Sequence, residues 1–187
     1  MTGNLVEVRD LRIAFDLAEG RLAAVRGASF RIPAGRTVAL VGESGSGKSV
    51  VSQAIMGILP RPAKIESGQI LFADPEADGA IQDLAQLSPK SRGYRALRGR
   101  RISIVFQEPM TSLSPVHTVG NQIGEAVALH RDVSAAKAQN LVQEMLMAVG
   151  FPDPKRALTT YPFELSGGLR QRAMIAMALV CRPALLI

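Results

Sequence analysis

The stretch TVALVGESGSGKSVVSQAIMGILP, residues 37–60, decides how the rest of the chain is read. Its first five residues are apolar and β-branched, which predicts a buried parallel strand, and residues 49–59 have helical character closed by Gly57 and Pro60. Between them lies GESGSGKS. Gly42, Gly47, Lys48 and Ser49 fit the pattern G-x-x-x-x-G-K-[ST] without mismatch, in the strand-to-helix setting that the pattern requires.

Glycines at 42, 45 and 47 let such a loop curl until its N–H groups point inward around phosphate oxygens, reinforced by the positive end of the following helix. Lys48 then reaches the β- and γ-phosphates, and Ser49 sets its hydroxyl on Mg²⁺. The expected phosphate cradle is Gly42, Glu43, Ser44, Gly45, Ser46, Gly47, Lys48 and Ser49, with Val50 in the first helical turn. The bland alternative, a Gly/Ser linker that happens to hold a lysine, is disfavoured by the flanking strand and helix.

Toward the N-terminus, LVEVRDLRIAF (residues 5–15) sets Val6, Val8, Leu11 and Ile13 among charged residues. Glu19-Gly20 offers a turn, and a second extended run covers residues 23–32 before Pro33-Ala34-Gly35 turns the chain again. These segments predict an antiparallel β-layer. Toward the C-terminus, GQILFAD (68–74) and RRISIVFQEP (100–109) predict further strands. Gln107 is expected just past a strand's C-terminal end, where open α/β sheets gather ligand groups.

Composition limits the function classes. In 187 residues, 47% hydrophobic and 20% charged, the chain has material for one sizeable core and is no disordered tail. The excess of 22 Lys+Arg over 16 Asp+Glu suits an acidic partner without choosing one. Lys90, Arg92, Arg95, Arg98, Arg100 and Arg101 make a basic run with Tyr94 as its interleaved aromatic, which reads as a solvated face rather than a base-stacking surface. Cys181 stands alone, which excludes a disulfide framework and fits a reducing compartment. MTGNLVEVRD has neither the basic start nor the apolar core of a signal peptide, and no run approaches the roughly 18 apolar residues of a membrane span. The chain is expected to meet a membrane only through a partner.

SAAKAQNLVQEMLMAVG places Ala138, Leu141, Val142, Met145, Leu146 and Val149 on one helical face, with Ser134 as N-cap and Gly150 just past the end. Ser166 caps a further helix predicted over residues 167–181. The glycines at 167 and 168 bare its first turn, so a second anion-attracting helix start results.

In this order and spacing, GESGSGKS, FQEPMTSLSP and ELSGGLRQRAMIAMAL resemble the Walker A, Q-loop and signature motifs of ATP-binding cassette (ABC) transporter ATPases. More narrowly, LRGRRISIVFQEPMTSLSP and YPFELSGGLRQR resemble the subfamily that powers bacterial dipeptide, oligopeptide and nickel importers. Leu169 stands where that subfamily often shows Met, and Phe163 where many members carry His; both changes leave the phosphate chemistry intact.

The resemblance implies an α/β P-loop NTPase (RecA-like) fold: a parallel core, an N-terminal antiparallel β-layer and an inserted helical subdomain. The implied division is residues 1–107 for the β-layer and first part of the core, 108–165 for the helical subdomain, and 166–187 for the signature helix and returning Walker B strand. It implies ATP and Mg²⁺ as cofactors, Lys48 and Gln107 as catalytic groups, and Ser49 and Gln107 on the metal. Phe15 is the candidate that stacks on adenine, with a strand-core role as the alternative. Ser166, Gly167, Gly168 and Leu169 would serve the ATP held by a second subunit, identical or related, in a head-to-tail sandwich.

The implied partners are that subunit, integral membrane permease subunits docked on the helical insert and, indirectly, a solute-binding protein, with no nucleic acid. The implied place is the cytoplasmic face of a bacterial membrane. The rival classes are a non-catalytic nucleotide-binding module and a soluble ABC ATPase acting on nucleic acid, whose long coiled-coil insert has no room between Ser49 and Ser166. ALLI, residues 184–187, matches the Walker B strand, after which the family places an Asp and a Glu; His117 and His130 lie in the insert, away from the family's switch histidine. The expectation is that these 187 residues by themselves form an incomplete core, uncovered near residues 185–187, and have negligible ATPase activity.

Overall fold

The computed structural model describes residues 3–107 and 112–187. Glu108 to Thr111, which open the expected helical insert and belong to the Q-loop motif, lie outside the described residues. The chain divides into two compact units, Met1–Ala96 and Leu97–Ile187.

The first unit is built on the predicted antiparallel layer. Strands β1 (Asn4–Leu17), β2 (Gly20–Pro33), β3 (Ala63–Ala73) and β4 (Ile81–Asp83) form one sheet in the order β2-β1-β3-β4. β3 starts well before the predicted residue 68, because residues 63–67 find partners along β1, among them Phe15 with Ala63 and Ile13 with Ile65. Val6, Val8, Leu11 and Ile13 are buried, and Val6 and Val8 lie opposite Phe72 and Ile70. Burying side chains of this size contributes about 1.5–3 kcal/mol each.

Helix α1 (Lys48–Met56) turns Val51, Ala54, Ile55 and Met56 inward and ends at Gly57, whose N–H reaches Ala54 and Gln53 carbonyls. Tyr94, in α2 (Arg92–Leu97), packs its ring where any side chain at Gly57 would stand. Its hydroxyl donates to the carbonyls of Ala54 (3.3 Å) and Leu84 (3.1 Å). The sole aromatic of the basic run is therefore a core residue, 2% exposed.

Two expectations are corrected. Residues 37–41 form no strand: among the described residues they enter no ladder, and Val41 is 87% exposed. An apolar run becomes a strand only where a neighbouring strand takes its N–H and C=O groups, and composition cannot supply that neighbour. The basic run is not wholly solvated either. Lys90, Arg92, Arg95 and Arg100 are exposed, but Arg101 is buried at 8% exposure, immediately before β5 (Ile102–Ser103).

β5 is also shorter than the run 100–109 suggested. It pairs in parallel with β6 (Leu185–Leu186), Ile102 opposite Leu185 and Ser103 opposite Leu186. The Val105 N–H continues the pairing to the Ile187 carbonyl at 2.8 Å, and the chain then bends at Gln107.

The rest of this second unit is helical: α3 (Val119–His130), α4 (Ala135–Ala148), α5 (Pro154–Ala157) and α6 (Gly167–Leu179). Thr118, Ser134, Asp153 and Ser166 each cap the helix that follows by accepting a backbone N–H. α4 ends as predicted, with Gly150 at φ 81°, and α6 stops two residues ahead of Cys181. Val119, Ile123, Val127, Val142, Leu146 and Ala173 share one apolar core. Cys181 lies in it, 3% exposed, its Sγ 3.4 Å from the Ala126 carbonyl, and burial pushes its thiol pKa up. Among the described residues no helix is long and apolar enough to cross a membrane.

Candidate functional site

The loop of residues 42–49 is shaped by what its glycines leave out. Gly47 adopts φ 90° as the N-cap of α1, a left-handed conformation that costs glycine little and other residues more. A Cβ there would stand 2.7 Å from the Ala24 carbonyl oxygen and 3.2 Å from Val25 Cγ2. The missing side chain lets β2 close directly on the loop. A Cβ on Gly42 would stand 2.7 Å from Ser46 Oγ, so the loop also folds back on itself, with the Ser46 N–H donating to the Glu43 carbonyl at 3.2 Å.

Lys48 is drawn into this curl. Its ammonium donates to the carbonyls of Gly42 (2.7 Å) and Glu43 (2.6 Å) and lies 3.3 Å from Ser46 Oγ. The first turn of α1 has neither an acidic residue nor a capping side chain. Its N–H groups, the Lys48 charge and the exposed Ser49 hydroxyl thus fall within one helical turn, with no carboxylate of that turn opposing them. This donor set fits an anion such as a polyphosphate. Among the described residues no cluster of His, Cys, Asp and Glu could hold a metal ion by itself. The Ser49 hydroxyl is one oxygen that could join phosphate oxygens and water around a Mg²⁺, an ion that usually keeps several waters.

Phe15 lies in the same unit, half-buried on β1 opposite Leu22 of β2 and Ala63 of β3. β2 runs from Leu22 to Ala24 and Val25, the residues that meet Gly47, so one strand connects Phe15's neighbour to the phosphate loop. Sequence reading did not single out Ala24 and Val25. Their approach depends on a bulge, for Ala23 lies opposite Ala14 and Val25 opposite Ile13, which leaves Ala24 as the extra residue.

The second unit holds the other expected residues. Gln107 is exposed in the bend after β5. Ser166 caps α6 through the Leu169 N–H at 3.4 Å, and Leu169 packs against the helical core. Gly167 and Gly168 are exposed, with nothing within 4 Å of where either Cβ would be. Arg170 anchors the start of α6 by donating from Nε to the Pro162 carbonyl at 2.7 Å and from Nη2 to the Phe163 carbonyl at 3.3 Å. Phe163, 66% exposed, stacks on Tyr161 with ring centroids 5.4 Å apart.

The sequence pattern of a family described as ABC transporter matches residues 25–187. The chain is 48% identical to the dipeptide transport ATP-binding protein DppD of Bacillus subtilis over 184 residues, 98% of this chain and 52% of that protein. It is 45% identical to the oligopeptide transport ATP-binding protein OppD of the same organism, covering 98% of this chain and 49% of that one. It is 49% identical to the peptidoglycan transport ATP-binding protein YejF of Agrobacterium fabrum, covering 100% of this chain and 33% of that protein. The chain thus spans about half or less of the length of these relatives. Among solved structures, the dimeric post-hydrolysis state of the ATP-binding cassette MJ0796 bound to ADP and Pi superposes with a TM-score of 0.79 at 23% identity, covering 97% of this chain and 72% of that one. CbiO1 of Clostridium perfringens, part of the ABC transporter complex cbiONQ, gives 0.71 at 26%, covering 98% and 64%.

Proposed function

The chain belongs to the ABC transporter family, and on that premise we propose that it is the ATP-binding portion of a subunit that drives bacterial peptide uptake through membrane partner subunits. The names of its relatives, dipeptide and oligopeptide transport ATP-binding proteins, support the peptide class. One observation carries the reading. Among the described residues nothing packs against the bare, exposed glycines at the start of α6, and a nucleotide held by a second subunit would give them a reason.

In this reading Lys48, Ser49 and the N–H groups of the 42–49 loop hold the ATP phosphates, and Phe15 flanks the base. When bound, Mg²⁺ neutralises phosphate charge. The chain's own work is to bind and orient: the loop fixes the phosphates in place, and Ser166, Gly167, Gly168 and Leu169 present donors to the nucleotide of the partner subunit. The segment 108–165 would dock the membrane subunits, and the protein would act at the cytoplasmic face of the membrane, with a solute-binding protein reached only through those subunits. Burial of Tyr94 and Arg101 removes the aromatic and one cation from the basic run, which favours the transporter reading over a nucleic-acid one.

The test is ATP hydrolysis and partner capture in the full-length protein. ATP turnover that Lys48→Ala abolishes, together with co-purification of a permease, is the expected result; turnover unaffected by Lys48→Ala would overturn the assignment.

A further inference from the structure

We propose that Arg26 is a second cation of the nucleotide site, supplementing Lys48 at the polyphosphate; this rests on the nucleotide-binding reading above. Residues 23–28 of β2 and the loop crest at Gly45 and Ser46 line one concave surface, and Arg26 is its only charged side chain. The bulge at Ala24 and the absent side chain of Gly47 bring strand and loop together there.

The ion pairs of the sheet single out the same residue. Arg9 and Arg31 share Glu7, Arg12 pairs with Asp10 at 3.2 Å, Arg21 with Glu66, and Lys64 with Asp16 at 2.7 Å. Among the described residues Arg26 is the strand cation of this sheet without such a partner. Its cross-strand neighbour is Arg12, a like charge. Asp10 is paired with Arg12 and not with Arg26: its carboxylate lies with the Arg12 guanidinium over Gly27, each within 3.2 Å of where a Cβ would stand. Like charges set opposite each other on a sheet weaken it, so a purely structural role would favour another residue type at 26. A guanidinium that lines the same concavity as a phosphate loop has the fork geometry to take two phosphate oxygens at once.

The test uses the full-length protein, mant-ATP and mant-ADP, with Arg26→Gln, Arg26→Lys and Lys48→Ala. Arg26→Gln is expected to weaken both nucleotides about tenfold, the loss of one charge-assisted contact, and to leave the thermal midpoint of the nucleotide-free protein unchanged or slightly raised. Arg26→Lys should recover part of the affinity, because the charge returns without the fork. Wild-type affinity in Arg26→Gln alongside a loss in Lys48→Ala would overturn the role of Arg26 and leave the nucleotide site standing. A wild-type protein that binds neither nucleotide, or one indifferent to Lys48→Ala, would overturn both readings.

Discussion

Two glycine-bearing helix starts occur in this chain, and their glycines are there for different reasons. In the 42–49 loop the missing side chains are needed by the chain's own atoms: Gly42 makes way for Ser46, and Gly47 for the backbone of Ala24. At the start of α6 the described residues make no such demand, since a Cβ at 167 or 168 would have nothing within 4 Å among them. Among the described residues the first loop can be explained from within the fold, and the second is left open to what approaches it. The absent side chain thus answers a close neighbour at Gly42 and Gly47, whereas at Gly167 and Gly168 the described residues supply no such neighbour.

The sharpest way to break this comparison is Gly168→Ala. It should cut ATP hydrolysis by the full-length protein about 100-fold, the scale of losing one positioned donor set. The fold should be unharmed or gain up to about 1 kcal/mol in helix propensity. A fall in stability measured by urea unfolding would show that the open face is used by this chain after all.

Gly47→Ala should behave in the opposite way. With φ at 90° and a carbonyl oxygen 2.7 Å from the new methyl, the protein should lose about 2–4 kcal/mol of stability along with nucleotide binding. Normal stability with binding alone lost would place Gly47 in the same class as Gly168.

The smallest effect expected is a pH dependence confined to the helical side. Burial, with the Arg100 charge as a lesser cause, holds His130 below its ordinary pKa of 6.5. Unfolding restores that value, so the unfolded chain takes up the proton first as pH falls below about 6.5, and stability that is full above this range declines under it. A melting temperature that drops from pH 7 to pH 5 less in His130→Gln than in wild type is the expected outcome; equal drops would remove His130 from the account.

How much of this could be read from sequence depended on how local the cause was. Ser134, Ser166 and Gly150 announce helix ends because a cap acts on N–H or C=O groups within a few residues. The β1–β2 hairpin was legible from alternation and a turn dipeptide. Residues 37–41 misled because strand formation needs a neighbour that the run itself does not contain. Ala24 and Arg26 were missed for a related reason: a bulge is a mismatch between two strands, and neither strand shows it alone. Tyr94 read as a surface aromatic among arginines until Gly57, far away in sequence, supplied the niche for its ring.

Cys181, the sole thiol of the 187 residues, has a practical consequence. With its sulfur against the Ala126 carbonyl and its ionisation pushed up by burial, it reacts with an alkylating reagent only after the end of α6 parts from α3. The rate of its labelling is therefore a built-in clock for the breathing of the helical bundle. No foreign probe has to be engineered to hear whether nucleotide or partner slows that clock.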